Sequence, residues 1–132
     1  MKLITRDTDY AMRVLCAMAK QKGNVISTEK LMYETEIPRP FLRKILQILN
    51  KKRIIRSYKG KNGGFMLSKN LNNICIADII KVFQGTISLS EHVFKKGKCP
   101  RIQRCNLKKR LDKIEAMVRE ELNAITVASL MN

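Results

Sequence analysis

His92, Cys99 and Cys105 follow one another as His-x6-Cys-x5-Cys. Imidazole and thiolate are ligands for zinc or for an iron–sulfur cluster. The spacing differs from the short C-x2-C of a zinc knuckle, so the competing reading is two incidental cysteines in a basic loop. The surrounding Lys95, Lys96, Lys98, Arg101 and Arg104 favour the thiolate form. Without a metal, Cys99 and Cys105 could instead close a disulfide as a redox switch. The other two cysteines read as structural: Cys16 lies in an apolar stretch, and Cys75 precedes Ile-Ala-Asp-Ile-Ile as a helix N-cap. No catalytic set emerges. The chain has a single His, no Ser-centred nucleophile motif and no acid pair in a suitable context, so an enzyme is not expected. Gly60, Gly63 and Gly64 match neither G-x-G-x-x-G nor G-K-[ST], and they lead into a strand instead of a helix. They read as hairpin chemistry.

Charge gives the second signal. The 132 residues carry 27 Lys and Arg against 11 Asp and Glu, a formal net charge of +16. Such an excess points to a polyanionic partner, nucleic acid or an anionic membrane surface. Glu36 and Asp78 are consecutive acids, and between them lie Arg39, Arg43, Lys44, Lys51, Lys52, Arg53, Arg56, Lys59, Lys61 and Lys69. A second acid-free run separates Glu91 from Asp112. No segment approaches the ~20 apolar residues of a membrane span. The opening Met-Lys-Leu-Ile-Thr-Arg-Asp carries an early acid and no apolar run, so no signal peptide is expected. The expected location is the cytoplasm, where structural disulfides are rare.

These side chains need elements to position them. Tyr10, Ala11, Val14, Leu15 and Met18 recur at helical spacing, with Thr5 or Thr8 as the cap and an end near Gly23-Asn24. Ser27 reads as the N-cap of a second helix carrying Leu31 and Met32. After a break at Ile37-Pro38, a third helix runs through Phe41, Leu42, Ile45, Leu46 and Leu49. Two helices joined by a short turn, the second rich in Arg and Lys, make a helix-turn-helix. Residues 54–59 read as a strand, 60–64 as a turn and 65–67 as the returning strand. A glycine-rich hairpin in that place is a wing. Residues 76–83 form a fourth helix stopped by Gly85. The last helix starts near Cys105 or Asn106, with Leu107, Leu111, Ile114, Val118, Leu122 and Ile125 in one stripe. A second protomer is the natural partner for so long a stripe; packing within its own domain is the alternative.

The expected fold is therefore mostly α with a small β-hairpin: a winged helix-turn-helix plus a long C-terminal dimerisation helix. Residues 1–85 form the DNA-binding domain, 86–104 a cysteine-containing sensor loop, and 105–132 the dimerisation helix and tail. Phe41, Leu42, Ile45, Leu46 and Leu49 belong to the core. Arg39, Arg43, Lys44 and Gln47 are candidates for base contact, because an Arg fork meets two guanine acceptors at once in the major groove. Ser57, Lys59 and Lys61 on the wing are candidates for phosphate or minor-groove contact.

These residues together resemble the Rrf-two family of bacterial regulators, which includes the IscR, NsrR and CymR types. The resemblance covers essentially the whole chain. It runs through MKLITRDTDYAMRVL, IPRPFLRKILQILNKKRIIRS, YKGKNGGFMLSKN, IADIIKVFQG and the segment from Cys99 to Leu130. The glycine pair followed by an aromatic is its most specific element. The resemblance implies a homodimer crossing through the C-terminal helix, double-stranded DNA sites with two-fold symmetry, and in many members an iron–sulfur cluster. Cluster-bearing members usually have three cysteines in the loop. Here Cys99 and Cys105 match two, and His92 with Val93 stands where the first would fall. In some members a carboxylate at the start of the first helix is a ligand, and Asp9 falls at that position. The resemblance thus implies a [2Fe–2S] cluster on Cys99, Cys105, His92 and Asp9, with zinc or no metal as alternatives.

The function expected is a sequence-specific transcription regulator sensing redox, nitric oxide or iron state through that cluster. A cluster-free member responding to a metabolite or a partner protein is the alternative within the family. A non-specific structural nucleic-acid binder is the alternative outside it.

Overall fold

The computed structural model describes residues 2–89 and 100–131. His92 and Cys99, two of the expected ligands, lie outside the described residues. Helix α1 (Arg6–Ala19) begins at Thr5, whose side chain accepts from the Thr8 N–H. Thr8 itself is fully buried. The helix ends before the expected Gly23-Asn24. Lys22 and Gly23 adopt positive φ of 52° and 84°, a conformation that cannot continue a right-handed helix.

Helix α2 (Thr28–Thr35) is capped by Ser27, whose oxygen accepts from the Lys30 N–H at 3.2 Å. Its C-cap, Glu36, turns left-handed at φ 57°. Ile37 is then buried beneath the turn, at 2% exposure. Pro38 precedes helix α3 (Arg39–Lys51), and Pro40 falls in its first turn, where a missing N–H removes no helical bond. This turn fixes α3 against α1 and α2.

The hairpin consists of β1 (Ile55–Tyr58) and β2 (Gly64–Leu67), antiparallel, with Ile55 opposite Leu67 and Tyr58 opposite Gly64. A third segment joins it, beyond the two strands expected. Ile26 and Phe65 exchange two backbone hydrogen bonds of 2.8 and 2.9 Å. This bridge explains Gly64, and the hairpin's own turn explains Gly63. A Cβ on Gly64 would lie 2.1 Å from the Ile26 carbonyl oxygen, and one on Gly63 would lie 2.4 Å from the Tyr58 oxygen.

Helix α4 (Ile76–Gln84) follows a short 3-10 turn, Leu71–Asn73. Cys75 is its N-cap, as expected, with the Asp78 carboxylate accepting from the Cys75 N–H at 3.0 Å. Burial, and then Asp78, push the Cys75 thiol above its ordinary value. At the other end, Gln84 Oε1 accepts from the Thr5 N–H at 3.0 Å and from the buried Thr8 hydroxyl at 2.6 Å. The end of α4 thereby holds the start of α1.

Helix α5 (Asn106–Ala124) is capped by Cys105 and, at 1.5 Å per residue, is about 28 Å long. The chain then turns back. Ile76 N–H donates to the Ile125 oxygen and Val127 N–H to the Ile74 oxygen. Val127 is fully buried in the main core with Leu15, Leu31, Leu42, Ile45, Leu49 and Ile79. The tail grouped with the dimerisation helix in the sequence reading thus also completes the winged-helix core.

Candidate nucleic-acid interface

Helix α3 separates its residues by face. Leu42, Ile45, Leu46 and Leu49 are buried, whereas Arg39, Arg43, Lys44, Gln47 and Asn50 are exposed. The three- and four-residue steps of the buried set put it on the inward stripe. The exposed polar set occupies the remaining surface.

Arg43, Gln47 and Asn50 line one concavity of about 310 Å³ together with Thr28 of α2 and Ser57 and Phe65 of the hairpin. Three expected residues, Arg43, Gln47 and Ser57, are thus brought together from two elements. Thr28 and Asn50 complete the concavity and were missed. Their signal was present: Asn50 lies seven residues beyond Arg43 on the same face, and Thr28 opens the helix that precedes α3. Lys59 and Lys61 are exposed on the loop between β1 and β2, beside Arg56.

The other two candidates on α3 already have ionic partners. Lys44 Nζ lies 2.8 Å from the Asp7 carboxylate of α1. Arg39 approaches Glu29 at 3.6 Å, with both side chains largely in solvent. The exposed Arg6 guanidinium carbon sits 4.3 Å from the centre of the partly buried Phe41 ring, a cation–π contact between α1 and α3.

The expected metal ligands are less assembled. Cys105 serves as the α5 N-cap, its sulfur accepting from the Lys108 N–H at 3.4 Å. Asp9 pairs with Arg13 one turn on, at 2.8 Å. Among the described residues no group of three or more His, Cys, Asp or Glu could hold a metal ion. Cys105 and Asp9 alone therefore do not fit a cluster. Cys16 packs against the core from α1, and burial pushes its thiol up against the lowering effect of Lys20.

On α5 the stripe and Met117 beside it are unevenly covered. Leu122 is buried at 7% exposure, but Leu107, Ile114 and Met117 are exposed at 62%, 49% and 58%. No helix among the described residues is long and apolar enough to cross a membrane.

Three helices packed around a buried turn, followed by an antiparallel hairpin, define a winged helix-turn-helix. The chain matches over residues 4–132 the model of the Rrf2 (Rrf-two) family, described as "Iron-dependent Transcriptional regulator". It belongs to that family, one of transcription regulators and not of enzymes. Protein aau3 of Rhizobium meliloti (strain 1021) is 28% identical over 130 residues, covering 97% of this chain and 84% of the relative. Among solved structures, CymR (YrzC), the global cysteine regulator of B. subtilis, superposes with a TM-score of 0.76. It is 23% identical, with 98% of this chain and 96% of the other covered. T. potens IscR superposes with a TM-score of 0.72 at 21% identity, with 98% and 85% covered. At those identities the likeness to the two structures is one of fold.

Proposed function

We propose that this transcription regulator binds specific double-stranded DNA sites as a homodimer, with α3 in the major groove and the hairpin loop on the flanking backbone. The observation that carries this reading is the concavity shared by Arg43, Gln47 and Asn50 of α3 with Ser57 of β1. A helix whose exposed polar side chains converge with those of a wing can meet base edges and phosphates in one approach. Arg43 and Gln47 are the base readers, since Arg suits guanine and Gln suits adenine. Arg39 and Lys44 stand beside them, and Ser57, Lys59 and Lys61 grip phosphate or minor groove. The net charge of +16 supplies the sequence-independent attraction. Binding of selected against shuffled duplexes, followed by fluorescence anisotropy, tests the reading.

The dimer is supported by the exposed Leu107, Ile114 and Met117 of α5. Such a helix face is an apolar surface awaiting a copy of itself. A two-fold dimer would set two α3 helices roughly one DNA turn, ~34 Å, apart.

The sensing reading is a [2Fe–2S] centre on Cys99 and Cys105 with His92 and Asp9, in a cytoplasmic regulator. Its support is the iron-dependent description of the family and the place of Cys105 at the start of α5. Such a centre would supply redox sensitivity. Anaerobic reconstitution tests it: iron and sulfide should be near stoichiometric and lost in Cys99→Ala and Cys105→Ala. Protein that stays colourless supports the cluster-free alternative.

A further inference from the structure

A second concavity of about 320 Å³ lies away from the α3 face, lined by Lys52, Lys69 and Lys81 above Ile54, Ile74 and Val82. Its size is at the lower end of small-molecule pockets. The lysines come from three elements: Lys52 caps the C-terminus of α3, Lys69 follows β2, and Lys81 lies on α4. None of the three forms an ion pair among the described residues. The acid on the wall, Asp78, is engaged by the Cys75 N–H at 3.0 Å and the Cys75 thiol at 3.1 Å. Three ammonium groups against this one carboxylate leave the hollow with a net positive charge, which favours an anion. Ile54 and Ile74 are nearly covered, exposed by only 5% and 3%, so the half-buried Val82 offers most of the apolar surface for a carbon stem.

The hollow is not an extension of the DNA face. Lys52 follows Asn50 of the DNA-face concavity by two residues, but this hollow shares no lining residue with that concavity. Its floor instead touches two structural junctions. Ile54 accepts from the Ser68 N–H at the root of the wing, and Ile74 accepts from the Val127 N–H in the segment after α5.

We propose that this hollow binds a small organic anion with two or more negative charges, whose charged ends meet the lysines and whose short carbon stem lies on Val82 beside the edges of Ile54 and Ile74. The test is calorimetric titration of the full chain with 3-phosphoglycerate, succinate and inorganic phosphate in turn, at an ionic strength held with sodium chloride. No DNA is present, so the outcome is independent of the DNA-binding reading. Saturable binding of at least one organic anion is expected, at about millimolar Kd or tighter, with inorganic phosphate weaker for want of a stem. A Lys69→Ala/Lys81→Ala double variant, its fold checked by circular dichroism, should lose about tenfold or more, the loss of charge-assisted hydrogen bonds. Lys109→Ala on α5 should bind as the unmodified protein does. Absence of saturable binding for all three anions overturns the proposal. So does binding that survives the double variant, or that falls equally in Lys109→Ala.

Discussion

The Asp7 carboxylate holds the Lys44 ammonium at 2.8 Å, joining the first helix to α3. Lys44 is 58% exposed and Asp7 25%, so the pair adds only about 0–1 kcal/mol to stability. Its larger consequence is for binding, because the ammonium is diverted from a ligand. Asp7→Ala should leave the thermal midpoint nearly unchanged while raising DNA affinity. The plot of log affinity against log salt should steepen by about one phosphate contact. An unchanged slope would show that Lys44 does not reach the DNA when released.

Arg43 faces the concavity with no ionic partner among the described residues. Arg43→Ala should cost about 1–3 kcal/mol of DNA binding and relax specificity at one position of each half-site. Lys59→Ala should weaken binding to all sequences alike. Selection of duplexes from a randomised pool, run on each variant, separates the two behaviours.

Gly64 sits where a side chain would strike the Ile26 carbonyl at 2.1 Å. Gly64→Ala should push the hairpin off that bridge and destabilise the fold by about 1–3 kcal/mol, the usual cost of an overpacked site. Urea unfolding gives the value. A change below about 0.5 kcal/mol, the range of ordinary surface substitutions, would mean that the Ile26–Phe65 pairing contributes little.

Ile114 is half exposed on α5. Ile114→Asp should leave the isolated chain folded by circular dichroism and yet convert a dimer to a monomer in sedimentation, because it would bury an unpaired charge at the interface. A monomer in the unmodified protein at micromolar concentration would contradict the dimer.

Periodicity made most of these elements legible. The stripe from Leu42 to Leu49 marked the inward face of α3, and Ser27 and Cys75 marked two helix starts by their chemistry. The Ile26 bridge was invisible because it depends on a single pair of residues far apart in the chain, too short for any alternation to register. The return of Val127 to the core was hidden for a similar reason: one apolar residue after a helix resembles any tail residue. Lys44 looked equivalent to Arg43 because both are basic and adjacent. Only the packing of α1 on α3, which sets Asp7 beside Lys44, distinguishes them. Helix α1 ends at Ala19 in i→i+3 turns, Gln21 N–H to Met18 and Lys22 N–H to Ala19, that no residue type there announces.

Anisotropy titration of a selected duplex against a shuffled duplex of equal length, across a salt series, tests the central claim most directly. Affinity for both should fall steeply with salt as condensed counterions are released. At physiological salt the selected duplex should bind about a thousandfold or more tightly than the shuffled one, and that ratio should fall by about 5- to 150-fold in Arg43→Ala. Equal affinity for the two duplexes at every salt concentration would contradict sequence-specific recognition by α3 and its wing.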